Sequence, residues 1–290
     1  MYVYRLNRHL SIDTIARCEN VLFVYNRLAR LPADLVRRDL RRAHRVSARP
    51  GLARRAAAEG LAAYALVFAG CGAIVADARY DGALGVVGIA LVFGLIIMAM
   101  VYATGHLSGA HINPAVTIAF TLTRHLPARD AAAYIGAQLA GASLAALSLL
   151  AVWTDKPAAL GATVPTVGAG SAFAYELVLT AILMFVIMAV ATDTRAVGAG
   201  AAIAIGGAVG LDALFGGPVT GASMNPARSL GPALAAGEWT DFWLYVAGPV
   251  LGAALGGLAY QLVRGEQAPE ALTPEVVPRA DGERSLRLPA

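Results

Sequence analysis

Two short polar segments interrupt the apolar runs of this 290-residue chain, and each contains the triplet Asn-Pro-Ala. The first lies in "SGAHINPAVTIAF", from Ser108 to Phe120, and the second lies in "TGASMNPARSLGPAL", from Thr220 to Leu234. The triplets themselves are Asn113-Pro114-Ala115 and Asn225-Pro226-Ala227. Proline directly after asparagine is typical of the first turn of a helix, and a helix N-terminus carries roughly half a positive charge. The pattern therefore predicts two helix starts that present hydrogen-bond donors.

Three charged residues lie in or beside apolar segments. Arg228 follows the second triplet directly, and Glu59 and Glu176 lie inside apolar runs. An ionisable residue within a membrane segment is a functional candidate; for the two glutamates we favour a structural role, with proton coupling as the alternative. The sequence offers neither a nucleophile paired with a base nor a cluster of metal ligands, so we predict no enzymatic activity, no cofactor and no metal site.

The composition indicates a membrane protein. Hydrophobic residues make up 58% of the chain and charged residues 14%, with a mean hydropathy of +0.61, whereas soluble domains are about 25% charged. A helix needs about 20 apolar residues to cross the hydrocarbon core. The runs that meet this requirement are residues 56–76, 83–103, 131–153, 172–192, 198–215 and 241–263. They are too long and too evenly apolar for barrel strands, so an all-α membrane protein is predicted.

Two further segments, residues 106–124 and 218–235, are long, nearly uncharged and moderately apolar. Each contains one triplet, and each is long enough for about half a membrane crossing at roughly 1.5 Å per residue. Backbone that ends inside a membrane is tolerated only against protein or a wet cavity. The predicted fold is therefore six transmembrane helices plus two re-entrant half-helices.

The two halves of the chain are similar to each other at an offset near 112 residues. The second triplet matches the first, Gly221 matches Gly109, and Gly206 matches Gly94 in the preceding spans. Each half has three spans, an odd number, so the copies must lie inverted in the membrane. Inverted repeats with broken helices place a site near the midplane, where the two triplets are predicted to meet.

The positions of arginine and lysine predict which side of the membrane each loop occupies. An even number of spans puts both termini on one side. That side would hold the arginine-rich N-terminal segment with Arg124, Arg129, Arg195 and Arg264, and the other side would hold Arg79 and Lys156. Both termini are therefore predicted to be cytoplasmic.

With paired triplets, Arg228 after the second, and a glutamate in spans one and four, the chain resembles the aquaporin family, the major intrinsic proteins. The resemblance covers residues 55–264, with repeat one at about 55–153 and repeat two at about 172–264. It implies a homotetramer in the cell membrane and a pore that excludes protons and ions, with Asn113 and Asn225 pointing into it. Glu59 and Glu176 would accept hydrogen bonds from the loops that lead to the half-helices.

The resemblance also implies a selectivity filter at the outer side of the pore. Arg228 would repel cations and replace hydrogen bonds that a solute loses, and the other filter positions fall on Phe93, Ala213 and Ala222. Two alanines predict a filter that is wider and more apolar than a filter for water alone. "GASMNPARSLGPAL", "SGAHINPAVTIAF" and "LDALFGGP" are most similar to the nodulin-type intrinsic proteins and their bacterial relatives. That subgroup passes water, glycerol and uncharged metalloid hydroxy acids.

The predicted function is passive conduction of water and small uncharged solutes, with glycerol as one solute and metalloid hydroxy acids as further candidates. A strictly water-selective channel is the alternative, and an ion-coupled secondary transporter is a remote one. Asp212 lies next to the filter position Ala213. It would either attract solutes at the outer mouth or pair with a backbone amide, and we favour the second role.

Residues 1–54 and 265–290 form the two ends of the chain. The first are a basic N-terminal extension, which is either cytoplasmic or the result of a start codon assigned too early. Within it, "LPADLVRRDLRRAHRV" predicts an amphipathic helix on anionic lipid, and nucleic acid is not a predicted partner. The C-terminal segment is rich in Pro, Glu and Ala and is predicted to be disordered.

Overall fold

The computed structural model describes residues 50–193 and 200–265, together with the backbone of two short strands that follow. Its long helices are α1 (Leu52–Arg79), α2 (Gly85–Ser108), α4 (Ala128–Val152), α5 (Ala169–Thr192), α6 (Ala201–Thr220) and α8 (Leu244–Val263). The short helices are α3 (Pro114–Leu122) and α7 (Pro226–Ala236), and one tight turn covers Pro157–Gly161. The strands are β1 (Glu275–Pro278) and β2 (Arg284–Arg287).

The long helices of the described residues confirm the predicted spans. Six of them are long and apolar enough to cross a membrane, and the two short helices begin at the triplets. The chain is therefore a multi-pass membrane protein with the predicted helical architecture. Helix ends differ from the predicted limits by up to five residues. The two largest differences are at the ends of α2 and α6, which continue past the apolar window to a glycine cap.

Helices α2 and α6 end in the same way, each directly before a glycine. Gly109 follows α2 with a φ of 97°, and Gly221 follows α6 with a φ of 85°. Glycine reaches this left-handed conformation without strain, which is why it commonly ends helices. The two N–H groups donate to the carbonyl oxygens of Gly105 and Gly217. These caps stop each helix at the point where the chain leads into the next short helix.

Helices α3 and α7 begin at asparagine caps. Oδ1 of Asn113 accepts a hydrogen bond from the backbone N–H of Ala115 at 2.8 Å, and Oδ1 of Asn225 accepts one from Ala227 at 3.0 Å. A proline follows each asparagine at the helix start, where a missing N–H leaves no intrahelical bond unmade. The local sequence thus determines where both short helices start.

The two halves pack in matching pairs of helices. Helix α1 lies against α4, α5 lies against α8, and α2 lies against α6 from the other half. Glycine permits the closest approaches: a Cβ placed on Gly94 would lie 2.7 Å from the carbonyl oxygen of Gly206, and one on Gly141 would overlap the carbonyl oxygen of Gly60. Small residues at helix crossings are the usual basis of packing in lipid.

Parts of the predictions concern the ends and one loop of the chain. The amphipathic helix predicted in the N-terminal extension lies outside the described residues, as does Arg195. In the C-terminal segment, β1 and β2 form an antiparallel pair with Glu275 opposite Arg287. The β-branched pair Val276 and Val277 favours this extended backbone. The disorder predicted for residues 265–290 stays a prediction.

Gly141→Ala is expected to destabilise the pairing of α1 with α4, because the added methyl would overlap the backbone of Gly60 and not a movable side chain. Overpacking costs about 1–3 kcal/mol, so the detergent-solubilised variant should unfold at a lower temperature than the wild type. Gly136→Ala is the control on the same helix, since no atom lies within 4 Å of its added Cβ. Equal unfolding temperatures for the two variants would contradict the close crossing.

Candidate functional site

The two triplets meet through reciprocal hydrogen bonds between the halves. Nδ2 of Asn113 donates to the carbonyl oxygen of Met224 at 2.7 Å, and Nδ2 of Asn225 donates to the carbonyl oxygen of Ile112 at 3.0 Å. Each asparagine thus caps its own short helix with Oδ1 and binds the other half with Nδ2. An amide NH₂ group has two donors, so each asparagine has a second N–H for the cavity that both side chains line.

Glu59 holds the loop that leads to α3. Its carboxylate accepts hydrogen bonds from Ser108 Oγ at 2.6 Å and from the backbone N–H groups of His111 at 3.0 Å and Ile112 at 2.6 Å. Gln138 Nε2 adds a fourth bond at 2.8 Å. The side chain of Glu59 is completely buried. Because a buried carboxylate is costly without donors, these bonds stabilise the acid and restrain the loop together.

Glu176 holds the loop that leads to α7 in the same manner. It accepts hydrogen bonds from Thr220 Oγ1 and from the backbone N–H groups of Ser223 and Met224, each at 2.8 Å. The Tyr245 hydroxyl donates to the carbonyl oxygen of Thr220 at 2.6 Å, next to this carboxylate's partner. Glu176 is also completely buried. Hydroxyl and backbone donors therefore engage the buried acid of each half at corresponding places.

Both loops contain strained backbone at corresponding positions. Ala110 and Ile112 have φ values of 49° and 58°, and Ala222 and Met224 have φ values of 40° and 52°. A left-handed residue other than glycine costs about 1–3 kcal/mol and persists only where its surroundings fix it. The glutamate and asparagine bonds provide that restraint, because the carbonyl oxygens of Ile112 and Met224 are the acceptors of the two asparagines.

Both triplets border one cavity whose wall is mostly apolar. Its polar lining consists of His111, Asn113, Ser223, Asn225 and Arg228. Its apolar lining comes from both halves and includes Leu66, Phe93, Val116, Leu183, Ile187, Ile205, Ala213 and Ala222. A concave and mostly apolar site with a few convergent polar groups is the usual form of a small-molecule site.

Arg228 supplies a positive charge to this cavity. Its side chain is buried, Nη1 donates to the carbonyl oxygen of Gly161 at 2.7 Å, and Cζ lies 5.1 Å from the centroid of the Phe93 ring. Within residues 50–193 and 200–265, Arg228 forms no ion pair with an acid. A cation in the cavity would therefore meet a like charge that is not part of an ion pair in these described ranges.

The structure brings all four filter candidates to the same cavity. Phe93 belongs to α2, Ala213 to α6 and Arg228 to α7, and Ala222 lies in the loop before α7. The two alanines contribute neither bulk nor hydrogen-bonding groups to the wall. Phe93 contributes an apolar surface beside the guanidinium group of Arg228.

The sequence interpretation missed the turn that holds Arg228. Lys156 and each residue from Ala158 to Gly161 have a positive φ, and Gly161 at the end of this turn presents its carbonyl oxygen to Arg228. Just beyond it, Thr163 Oγ1 donates to Ser229 Oγ at 2.8 Å. The segment "DKPAALGAT" contains no signal for these contacts beyond its glycine, because the partners lie in α7, far along the chain.

His111 and Ser223 are two further cavity residues that the sequence interpretation did not single out. The His111 ring stacks on Phe120 with ring centroids 4.5 Å apart, and its Nδ1 lies 3.2 Å from Thr117 Oγ1. Ser223 Oγ donates to the carbonyl oxygen of Asn225 at 2.9 Å. Both lie two residues before an asparagine of a triplet, and that equivalence is the signal that could have found them.

Asp212 lies beside the filter and not in it. Its side chain is completely buried and does not border the cavity, and neither carboxylate oxygen has a hydrogen-bond partner in the described part of the chain. The favoured role for Asp212 is therefore wrong, because it pairs with no backbone amide that the structure describes. Its attraction of solutes at the outer mouth stays a prediction. An ionised carboxylate without donors is costly to bury, and the described residues supply no donor to either oxygen of Asp212.

Comparisons with known proteins agree with this geometry. The family model described as "Major intrinsic protein" matches residues 47–260. The chain belongs to the major intrinsic protein family. Nodulin-26 from Glycine max is 48% identical over 207 residues, which are 71% of this chain and 76% of that protein. "Putative aquaporin NIP4-1" from Arabidopsis thaliana is 47% identical over 207 residues, which are 71% of this chain and 73% of that protein. The predicted resemblance to the nodulin-type aquaporins is thus confirmed.

A solved structure supports the same fold for this major intrinsic protein. The X-ray structure of the aquaglyceroporin from Plasmodium falciparum is similar with a TM-score of 0.64 and 24% sequence identity, covering 74% of this chain and 98% of that chain. Six spans, two half-helices and the family match together assign the chain to a family of membrane channels.

Asp212→Asn is expected to leave membrane insertion and water flux close to the wild-type values, because the amide keeps the shape of the carboxyl group and breaks no hydrogen bond within the described residues. Glu176→Gln is the contrasting variant: its NH₂ group would face N–H donors, at a cost of about 1–3 kcal/mol for each bond left unmade. Thermal unfolding of the purified variants and osmotic swelling of proteoliposomes measure both effects. Lost flux in a normally inserted Asp212→Asn protein would show that the acid itself is required.

Proposed function

We propose that the chain is a passive channel for water and small uncharged solutes and that it excludes protons and ions. Glycerol is one proposed solute, and metalloid hydroxy acids are further candidates. The observation that carries the proposal is the meeting of two half-helix starts at one cavity, each with an asparagine amide directed to it. Arg228 in the same lining supports the exclusion of cations.

Proton exclusion follows from where the donors lie. A water molecule at the centre accepts hydrogen bonds from Asn113 and Asn225, so its oxygen faces the two side chains and its hydrogens point away along the cavity. Its neighbours are then oriented in opposite directions, and no continuous chain of hydrogen bonds can carry a proton past the centre. The two helix N-termini, each with roughly half a positive charge, add a barrier to cations.

A fixed channel fits the site better than an ion-coupled transporter. Alternating access requires one half to move against the other around the site. Here the bonds from Asn113 to Met224 and from Asn225 to Ile112 join the halves at the centre. Glu59 and Glu176, the two acids for which proton coupling was the alternative role, are each engaged by three or more donors. A third buried acid, Asp212, does not border the cavity.

The small side chains at two of the four filter positions favour a broader solute range than water alone. Ala213 and Ala222 have no side chain larger than a methyl group, and Phe93 offers an apolar face to the carbon or metalloid side of a solute. Arg228 can donate hydrogen bonds to hydroxyl groups, since its guanidinium group has five donors. A hydroxylated neutral solute could thus contact the apolar ring of Phe93 and donors of Arg228 at the same level of the cavity.

We also place the protein as a homotetramer in the cell membrane with both termini cytoplasmic. The support is the distribution of basic residues, because loops on the cytoplasmic side carry an excess of them. Arg124 and Arg129 flank the start of α4, and Arg264 follows the end of α8, whereas Arg79 and Lys156 lie at the opposite ends of α1 and α4. Family membership supports the proposed tetramer, and the mass of the purified protein in detergent tests it.

Proteoliposomes that contain the protein are expected to swell rapidly under water and glycerol gradients, and more slowly under an arsenous acid gradient, without electrical current in a planar bilayer. The two helix N-termini and Arg228, which is not part of an ion pair among the described residues, repel cations. Neutral solutes meet no such repulsion. Stopped-flow light scattering measures the fluxes, with empty vesicles as the control. A proton or cation current, or uphill uptake driven by a proton gradient, would overturn the proposed passive function. Water flux without glycerol or metalloid flux would return the protein to the strictly water-selective alternative.

Ala213→His is expected to lower glycerol flux at least tenfold more than water flux, because a narrowing barrier rises with solute size and each 1.4 kcal/mol lowers a rate about tenfold. Ala213 is a suitable position because it lies within helix α6, whereas the φ of 40° at Ala222 disfavours a β-branched replacement. Ala132→His, at an exposed position of α4, is the control for a histidine outside the cavity. Equal losses of water and glycerol flux would show that the filter lies elsewhere.

A further inference from the structure

We propose that Gly70 of α1 is a positioning residue for solute specificity, because its missing side chain seats the Phe93 ring at the wall of the filter and so sets the width open to solutes. The inference rests on the proposed function, in which Phe93 borders the conducting path. Gly70 does not itself line the cavity. It acts through the ring that it accommodates.

The Phe93 ring occupies the space that a side chain at position 70 would need. A Cβ placed on Gly70 would lie 2.5 Å from Cζ and 2.6 Å from Cδ1 of Phe93, with Cε1 closer still, whereas real Cβ atoms essentially never approach another heavy atom within 3.0 Å. Gly70 is buried, and the three atoms nearest to its added Cβ all belong to this one ring. Any other residue at position 70 and the ring in its observed place therefore compete for the same volume.

The ring, and not the helix, would give way. None of the three nearest atoms belongs to backbone, in contrast to Gly141, where an added Cβ meets the carbonyl group of Gly60. Phe93 lies on the cavity side of Gly70, where it borders the cavity with Leu66 and Arg228, and its ring centroid is 5.1 Å from Arg228 Cζ. A ring displaced from α1 thus moves towards the solute path or towards the guanidinium group, and either movement narrows the filter.

The other half of the molecule has no such pair. The position that corresponds to Gly70 is Ile187, with the register set by Glu59 and Glu176, and the position that corresponds to Phe93 is Ile205. Both isoleucines border the cavity. One half therefore places two branched side chains of equal size at these positions, whereas the other combines a glycine with a large ring. Packing at native density requires such matched volumes, so the glycine is the complement of the ring.

Narrowing acts on solutes according to their width. Water is smaller than glycerol, so a ring moved into the filter obstructs glycerol more than water. Gly70→Ala adds a single methyl group, keeps helix propensity high and introduces no polar group. We expect it to lower the ratio of glycerol to water permeability about tenfold or more, while the amount of inserted protein stays near the wild-type amount.

Gly72→Ala is the matched control on the same helix, because the nearest atom to its added Cβ is Leu149 Cδ2 at an ordinary 3.6 Å. Wild type, Gly70→Ala, Gly72→Ala, Phe93→Val and the double variant Gly70→Ala with Phe93→Val would be reconstituted at equal density. Stopped-flow measurements give water and glycerol permeability for each. The ratio should fall in Gly70→Ala only, and the double variant should match Phe93→Val, because the added methyl then has no ring to displace. A general loss of stability would not produce this selective rescue.

An unchanged ratio in Gly70→Ala, with a wild type that conducts glycerol, would overturn the inference and leave the proposed function intact. A wild type that conducts water but not glycerol would contradict the proposed solute range. The proposed role of Gly70 would then be tested by water flux, which should fall in Gly70→Ala and recover to the Phe93→Val level in the double variant. An unchanged water flux in Gly70→Ala would overturn the inference. If Gly70→Ala fails to insert, restored insertion in the double variant supports the competition for volume, and continued failure overturns it.

Discussion

A helix that starts inside a membrane leaves backbone N–H groups that no water of the hydrocarbon region can satisfy, and protein groups must bind them. In this chain the constraint applies twice, at the starts of α3 and α7. The residues around these two helix starts supply the groups that satisfy it. Asn113 and Asn225 cap the helices, and Glu59 and Glu176 accept the N–H groups of the loops that precede them. The acids are buried because the groups they bind are buried, and the second N–H of each asparagine stays available to the cavity that both asparagines line.

Because the two halves are inverted repeats, the same loop conformation and the same hydrogen bonds occur at both half-helices. The left-handed residues Ile112 and Met224 occupy equivalent places in the two loops, and each turns its carbonyl oxygen to the asparagine of the other half. Strain that would be costly in an isolated loop is thus held by bonds that also join the halves. The same bonds keep the two helix starts opposed. The positive charge of the two helix N-termini at the cavity therefore results from the packing of the halves, and no further residue is needed to place it.

The sequence predicts features that depend on local pattern. Spans follow from apolar length, the starts of α3 and α7 follow from Asn-Pro, and the glutamates stand out because acids are rare in apolar runs. Features that depend on distant contacts were not predictable. The carbonyl oxygen of Gly161 reaches Arg228 only because the turn before it is left-handed, and nothing local indicates which side chain it meets. Asp212 shows the same limit, since its lack of donors is a property of the helices that surround it.

Under the proposed function, selectivity arises where the two repeats differ, and not where they agree. The backbone of the halves is equivalent through the caps, the loops and the short helices, so a perfectly duplicated sequence would build the same wall on both sides of the centre. At the position of Arg228 the first repeat has Val116, and at the position of Phe93 the second repeat has Ile205, and all four border the cavity. The charge and the ring therefore lie on one side of the asparagines only. Under the proposed function, a solute meets the charge and the ring there and a wall without either beyond it. The shared part would then oppose charge movement through the centre, and the unshared part would select by size and hydrogen bonding.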